Sequence, residues 1–554
     1  MSIPAEMNES LISDERFGDW RKITNRTLTF YDQGLGLLES EILSPFKEAL
    51  GNSNSERRYR VLGDPVIRSS LNTALTRVSA GRPASQEHLD PILKATGLLS
   101  EAARLSPIEA GAPLHPRLGG EPNHVPIWHG DDRADDDVFG HSFQSLFIRE
   151  IASGISSQQA VLRTPTAAMR DALEAGYQFL MDAVPEVATS VLRHVHLVAV
   201  VDVADESQWK SDVRRDLCQN VSTHAIPGTI FLSPSVLRDP WRTAEALLHE
   251  AAHKKLSDLV LTRNIFRPGF EPNPSTVVTA VWNRSLSWNP NDWTVDRALF
   301  AAHVYVYLTV FFETLRERHT DIGATSPEVV AKQCYYKAAY LLAELQSFSE
   351  TELGSDGLDL LGWLDESLQL VADRYPKHDP TVFLLLERYE RETRQIGELI
   401  SRIPNEENFS QGSLEADAPP EQWGSSRIVD HLVHSEIVGA FRILSVLGEA
   451  CPPQFQFYDG DRWSVLASSR APYGVRAAVF QGVRQFVIST LRESDASSFD
   501  RVCHTRRRKS LRELFADVVT HAERHLDTLI LKLRELEHQQ KAVWKLRRED
   551  PGTG

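Results

Sequence analysis

Apolar side chains recur at intervals of three and four residues along most of this 554-residue chain, the spacing that places them on one face of an α-helix. Two short runs rich in β-branched and aromatic residues predict strands at 194–201 and 229–232. The sequence therefore predicts a mainly α fold with a few short strands before a central helix. The helical stretches are 35–50, 66–78, 91–105, 164–193, 241–261, 294–318, 327–347 and 359–403, and 428–550 is largely helical.

Shifts in composition predict four segments. Residues 1–110 form an N-terminal helical region, 111–403 a core, 404–426 a polar linker rich in Pro, Gly and Ser, and 427–554 a C-terminal helical domain. The last helix carries an apolar stripe, which predicts packing inside a bundle, with a homodimer seam as the alternative. The stripe consists of Leu511, Phe515, Val518, Ala522, Leu526, Leu529, Leu533 and Leu536.

The charge balance argues against general nucleic-acid binding. Lysine and arginine total 60 against 76 acidic residues, a formal net charge of -16, whereas phosphate contacts need surplus positive charge. The one dense basic run, Arg506-Arg507-Arg508-Lys509, is predicted to be a solvated face rather than a docking site for an acidic partner.

The N-terminal residues are polar, and no run of about 18 uninterrupted apolar residues occurs, so we expect no membrane span and a cytoplasmic location. The cysteines lie far apart in the sequence, which predicts reduced thiols and argues against a cysteine-held zinc or iron-sulfur centre. They are Cys218, Cys334, Cys451 and Cys503.

The residues that carry chemistry are His249-Glu250-Ala251-Ala252-His253. Asp239 and Pro240 are typical of a helix start, which places this motif inside the predicted helix 241–261. Histidines four apart on a helix differ by about 40° of rotation and about 6 Å of rise, so both imidazoles can bind one divalent ion. Glu250 can accept a proton from a bound water or hold a ligand in place through a hydrogen bond.

Two histidines leave coordination positions for a third ligand. Leu256 and Leu259 stand where an extended zinc-peptidase motif needs glycine and a third histidine. Glu313, on the next long helix, is a candidate for the peptidase form that uses a glutamate. His303, among alanines on the same helix, is equally a ligand or an ordinary core histidine on spacing alone.

The order of motifs resembles the HExxH-type peptide-modification family over roughly residues 62–345. The resemblance is carried by these elements: Pro185-Glu186-Val187-Ala188, a strand ending near Asp202, Gly228-Thr229-Ile230-Phe231-Leu232-Ser233, the HExxH helix continuing through Lys254-Lys255-Leu256, Ser287-Trp288, and Arg297 with His303 six residues later. Members of that family are iron(II)- and 2-oxoglutarate-dependent peptide β-hydroxylases associated with bacterial ribosomally made peptides.

The resemblance implies that His249, His253 and His303 hold iron and that Arg297 pairs with a carboxylate of 2-oxoglutarate. Glu250 would then accept hydrogen bonds beside the metal instead of acting as a protease base. The implied substrate is a peptide, with or without a leader segment. The chain departs from the family pattern at Ala298, where the family tends to have proline, and at Asn289, where it tends to have arginine.

Two alternatives stay open at this point. The first is a zinc metallopeptidase in which Glu250 is the general base and the following helix supplies the third ligand. The second is a non-catalytic helical scaffold that binds peptides along its C-terminal helix.

Overall fold

The computed structural model describes residues 3–549 apart from several segments. Those segments are 39–42, 54, 87–88, 94–95, 97–116, 119–124, 129–137, 153–159, 204–219, 222–225, 285–289, 324, 349, 377, 404–421, 457 and 467–470. The Ser287-Trp288-Asn289 motif and most of the predicted linker 404–426 therefore lie outside the described residues.

Helices make up most of the described chain, so the mainly α prediction is confirmed. Their bounds are α1 Ile3–Ser13, α2 Trp20–Leu37, α3 Ser44–Gly51, α4 Ser55–Gly63, α5 Pro65–Ser79, α6 Val138–Phe147, α7 Ala167–Ala183, α8 Pro185–Leu192, α9 Pro240–Thr262, α10 Val295–Glu317, α11 Pro327–Gln346, α12 Ser355–Gln369, α13 Pro380–Ser401, α14 Ser425–Gly448, α15 Gly460–Leu466, α16 Tyr473–Arg492 and α17 Leu511–Glu549.

The strands are short. They are β1 Arg117–Leu118, β2 Val125–Pro126, β3 Ala160–Arg163, β4 Leu197–Val203, β5 Asn220–Val221, β6 Thr229–Leu232, β7 Val277–Thr279, β8 Asp292–Thr294, β9 Val502–His504 and β10 Arg508–Ser510. The largest described sheet has four strands in the order β3-β4-β6-β5, with β4 parallel to β6 and Leu197 opposite Thr229. β6 is fully buried, and a short 3-10 turn connects it to α9.

The two strand predictions differ in accuracy. The bounds of β6 match the prediction, whereas β4 begins three residues after position 194. The N–H groups of His194 and Val195 donate to the carbonyls of Val191 and Leu192, so these residues complete the end of α8 instead of entering the sheet.

The chain forms two compact units, of which the first comprises residues 1–276 and 294–375. Helix α9 packs against α2, α7, α8 and α10, and α10 packs along α11. Of the helices that the structure describes, α10 alone is long and apolar enough to cross a membrane, but 89% of its most apolar window is buried within the protein. A helix that is apolar on every side is also what the centre of a folded core requires.

The contact between α7 and α9 depends on Gly176. A Cβ atom at this position would lie 2.4 Å from the Cβ of Thr243 on α9, closer than two carbon atoms can approach. Glycine therefore permits α7 to pack directly on the helix that carries the HExxH motif.

The second unit comprises residues 277–293 and 376–554, and α13, α14, α16 and α17 pack in it as a four-helix bundle. Most of the predicted stripe on α17 is buried in the apolar clusters of this unit, which agrees with the predicted bundle. The buried members are Leu511, Phe515, Ala522, Leu526, Leu529 and Leu533.

The units do not follow the predicted domain boundaries. Region 1–110 shares a unit with the HExxH helix, and α13, which was predicted within the core 111–403, belongs to the second unit. The apolar face of α13, including Leu385 and Leu386, packs in the same cluster as residues of α16 and α17. The predicted single helix 359–403 is also divided, because Asp379 caps a new helix that begins at Pro380.

Candidate metal centre

His249 and His253 lie side by side on α9, as the four-residue spacing predicts. Their ring centroids are 5.0 Å apart, with 67° between the ring planes. Both side chains are partly buried, and one-third (33%) of His249 remains exposed. From α10, Phe300 stacks on His253 at a centroid distance of 5.9 Å. Phe300 therefore covers one side of His253, while His249 stays partly accessible to solvent.

Glu250 lies beneath this pair, where it is 2% exposed. Its Oε1 atom is 3.8 Å from Nε2 of His249. Burial lowers the pKa of Lys254 to about 8, and the negative charge of Glu250 acts in the opposite direction, which places the two groups within electrostatic reach. Glu250 therefore places a buried carboxylate next to His249.

His303 is fully buried on α10, but its ring lies against Tyr307 at a centroid distance of 4.8 Å. Lys255 and His194 act on it electrostatically, and it lies close to the backbone of Ala252. Burial and the positive charge of Lys255 hold the pKa of His303 well below its ordinary value, so the ring is neutral.

The predicted set of three histidines does not converge as the structure stands. Among the described residues, the one group of three ligand atoms that gathers around a common point does not include His249, His253 or His303. The residue of α10 that faces His253 is Phe300. The donor chemistry of His249 and His253 fits a divalent ion, whereas His303 does not complete that centre in this arrangement.

The inner side of α9 holds a polar cluster that the sequence did not predict. Lys255 Nζ lies 2.9 Å from the carbonyl of Gly18, 2.8 Å from Ser190 Oγ and 2.9 Å from the Tyr307 hydroxyl. Burial lowers the pKa of Lys255 to about 7. Two adjacent lysines, at 254 and 255, directly before the apolar residue Leu256 were the available signal.

One turn further along α9, Asp258 joins two buried partners. His194 Nδ1 is 2.7 Å from Oδ2 of Asp258, and Arg68 Nη1 is 3.0 Å from Oδ1. Burial lowers the pKa of His194, so a neutral ring donates its Nδ1–H and Arg68 supplies the positive charge. All of these groups lie in the core, where they fix α9 within the first unit.

Lys337 brings positive charge close to His249. Arg297, which the resemblance implies binds the co-substrate, is exposed one turn before Phe300 on α10. Lys337 on α11 lies over the ring of Tyr305, with Nζ 4.9 Å from the centroid. Burial together with the charge of Lys337 lowers the pKa of His249 to about 4, so this imidazole is neutral near pH 7.

Lys337 and Glu245 were missed by the sequence reasoning. Glu245 lies one turn before His249, and burial raises its pKa, while Lys337 and Arg242 act in the opposite direction. The four-residue spacing of Glu245 and His249 was a visible signal, but the approach of Lys337 depends on how α11 packs.

Glu313, the sequence candidate for a peptidase ligand, is engaged elsewhere. Arg316 and Arg374 each donate to its Oε2 atom at 2.7 Å, and the hydroxyl of Tyr375 donates to Oε1. The side chain is completely buried in this network. It therefore neutralises two arginines and is not directed at the motif.

No protein-family model matches the chain, and a search of curated proteins finds no match.

Proposed function

We propose that this protein is an iron(II)- and 2-oxoglutarate-dependent oxygenase that hydroxylates a carbon, at the β position, of a residue in a ribosomally made peptide. The observation that supports this proposal best is the pair of histidines one turn apart on α9, with Lys337 supplying positive charge close to His249. A dianionic co-substrate needs positive charge beside the metal ligands.

In this proposal His249 and His253 hold the ion through imidazole nitrogens. When bound, iron supplies the open coordination positions and the oxidising chemistry with dioxygen and 2-oxoglutarate. The third ligand implied by the family resemblance, His303, stays a prediction because its ring lies against Tyr307.

Arg297 binds one carboxylate of 2-oxoglutarate, for which its planar guanidinium offers two parallel N–H donors. Lys337 adds a second positive charge, which matches the second carboxylate. Phe300 covers one side of His253 and limits the access of water there. Glu250 contributes negative charge behind the histidines, which favours a bound cation.

A zinc peptidase is the second candidate, because the carboxylate of Glu250 lies 3.8 Å from His249 Nε2, where a general base would stand. Against it, Glu313 is committed to Arg316 and Arg374. A non-catalytic scaffold would not require the positive charge of Lys337 close to His249, so this charge does not favour it.

Anaerobic reconstitution tests the proposal. Metal-free protein given iron(II) and 2-oxoglutarate is expected to develop a weak visible charge-transfer band and to release succinate after oxygen is admitted. Arg297→Gln should weaken 2-oxoglutarate binding by about tenfold or more while iron remains bound, because a charge-assisted contact is lost. The control Arg242→Gln removes an exposed arginine from α9 and should leave this affinity unchanged.

Peptide cleavage that requires zinc and not 2-oxoglutarate would instead establish the peptidase. Absence of metal binding that depends on His249 and His253 would support the scaffold. Either result overturns the oxygenase proposal.

A further inference from the structure

Three histidines of the second unit meet in its helical bundle, far from the HExxH motif in sequence. His431 comes from α14, and His521 and His525 come from successive turns of α17. One ligand atom from each lies within 4.8 Å of the other two. Nε2 of His431 is 3.0 Å from Nε2 of His521, and the centroids of His431 and His525 are 4.5 Å apart.

The spacing on α17 repeats the one that makes HExxH a metal motif. His521 and His525 are four apart in His521-Ala522-Glu523-Arg524-His525, so their rings share one face of the helix. His431 approaches from the neighbouring helix and completes a triangle of nitrogen donors. Three imidazoles from two helices are a recurrent ligand set for zinc and related ions.

Two of the three rings are buried, and His521 is partly exposed. Imidazole binds a metal ion through the lone pair of a neutral ring nitrogen. Nδ1 of His525 is buried without a hydrogen-bond partner in the described part of the chain, although buried nitrogens are normally satisfied.

The surroundings provide support and access. Oδ1 of Asp461 lies 3.6 Å from Nδ1 of His431, close to where carboxylates commonly orient metal-bound histidines. Trp423 stacks on His525 with 12° between the ring planes. The Nε2 atoms of His431 and His521 are at hydrogen-bond distance, so one ring donates its N–H to the other while no ion is bound, and a metal ion would take the place of that proton.

A cavity of about 680 Å³ opens beside this cluster and is lined by His431 and His521. Four basic and four acidic side chains also line it, among them Lys509 and Asp517, which pair with each other. The basic run at 506–509 was predicted to be only a solvated face, and part of it borders this cavity. An ion held by the three histidines would therefore have an open coordination position beside a polar cavity.

We propose that His431, His521 and His525 bind one divalent transition-metal ion of the zinc type, with its open position facing the cavity. The three nitrogen donors suit zinc, cobalt and nickel better than calcium or magnesium, which prefer oxygen ligands. This site is separate from the HExxH centre and does not depend on the function proposed for that centre.

The test uses the full chain carrying His249→Ala and His253→Ala, so that the HExxH pair does not contribute. This protein is titrated with cobalt(II) or zinc(II) alone, and metal content, the visible cobalt spectrum and the unfolding temperature are measured. We expect one equivalent of metal, cobalt bands typical of low coordination number, and a rise in unfolding temperature with zinc.

Adding His521→Gln, at the partly exposed ligand, should weaken binding by at least about tenfold, since loss of one metal ligand exceeds the effect of losing a supporting contact. His434→Gln, three residues after His431 on α14, is the matched control and should bind normally. Circular dichroism establishes that each variant is folded, and His525→Gln serves if His521→Gln is not.

The absence of stoichiometric metal in the His249→Ala and His253→Ala protein would overturn the proposal. Undiminished binding in both the His521→Gln and the His525→Gln variants would do the same.

Discussion

Phe300 of α10 stacks on His253 of α9 with the ring centroids 5.9 Å apart. His303, one turn further along α10, lies against Tyr307 instead. Helix α10 therefore presents an apolar ring to the motif. His303, which a three-histidine centre needs, does not gather with the pair.

His303→Ala is expected to leave metal binding at His249 and His253 in place, because the His303 ring does not reach the pair. The buried position predicts a loss of stability of roughly 2–4 kcal/mol from the cavity that is left. Metal content of purified protein, with His253→Ala as the control that loses it, checks this expectation. Loss of metal in His303→Ala would show that its ring turns toward the pair when metal binds, as the family resemblance implies.

Asp258→Asn should destabilise the first unit by about 3–5 kcal/mol, because it leaves the buried guanidinium of Arg68 without a negative partner. The exposed pair Asp239 and Arg242 is the matched control. Asp239→Asn is expected to cost at most about 1 kcal/mol. Urea unfolding followed by circular dichroism measures both, and equal small losses would contradict the structural role given to Asp258.

The same cluster predicts acid sensitivity. Burial lowers the pKa of His194; burial alone would raise the pKa of Asp258, but Arg68 and the hydrogen bond with His194 hold it well below its ordinary value. Both groups bind protons more readily in the unfolded chain. The free energy of unfolding should therefore fall as the pH drops below about 6.5, and fall further below about 4.

Urea unfolding at several pH values checks this dependence, and Asp258→Asn should show less of it below about pH 4. A free energy of unfolding that rises on acidification through this range would show that other groups dominate.

Gly176→Ala is expected to destabilise the protein by about 1–3 kcal/mol, because the added methyl group collides with Thr243 and separates α7 from α9. Gly362→Ala on α12 is the matched control: an added Cβ there meets nothing within 4 Å, so the helix should gain roughly 0.5–1 kcal/mol. Thermal unfolding compares the two variants. Similar effects from both would show that the approach of α7 to α9 is not tight.

Local patterns were predictable to the extent that they depend on neighbours in sequence. The helix that carries His249 and His253, its start at Pro240 and the bounds of β6 follow from capping residues and from spacing. The same spacing in His521 and His525 was equally visible and was overlooked. Their partner His431 was not predictable, because nothing local indicates which face of α14 meets α17.

The sequence by itself determined the helical periodicity, the pairing of the motif histidines and the apolar stripe of α17, since rotation per residue along a helix is fixed by backbone geometry. Only the tertiary structure decided that Phe300 faces His253, that Lys255 points into the core, that α13 joins the second unit and that His431 meets His521. These outcomes depend on the register and rotation of one packed helix against another, which side-chain packing over the whole unit sets.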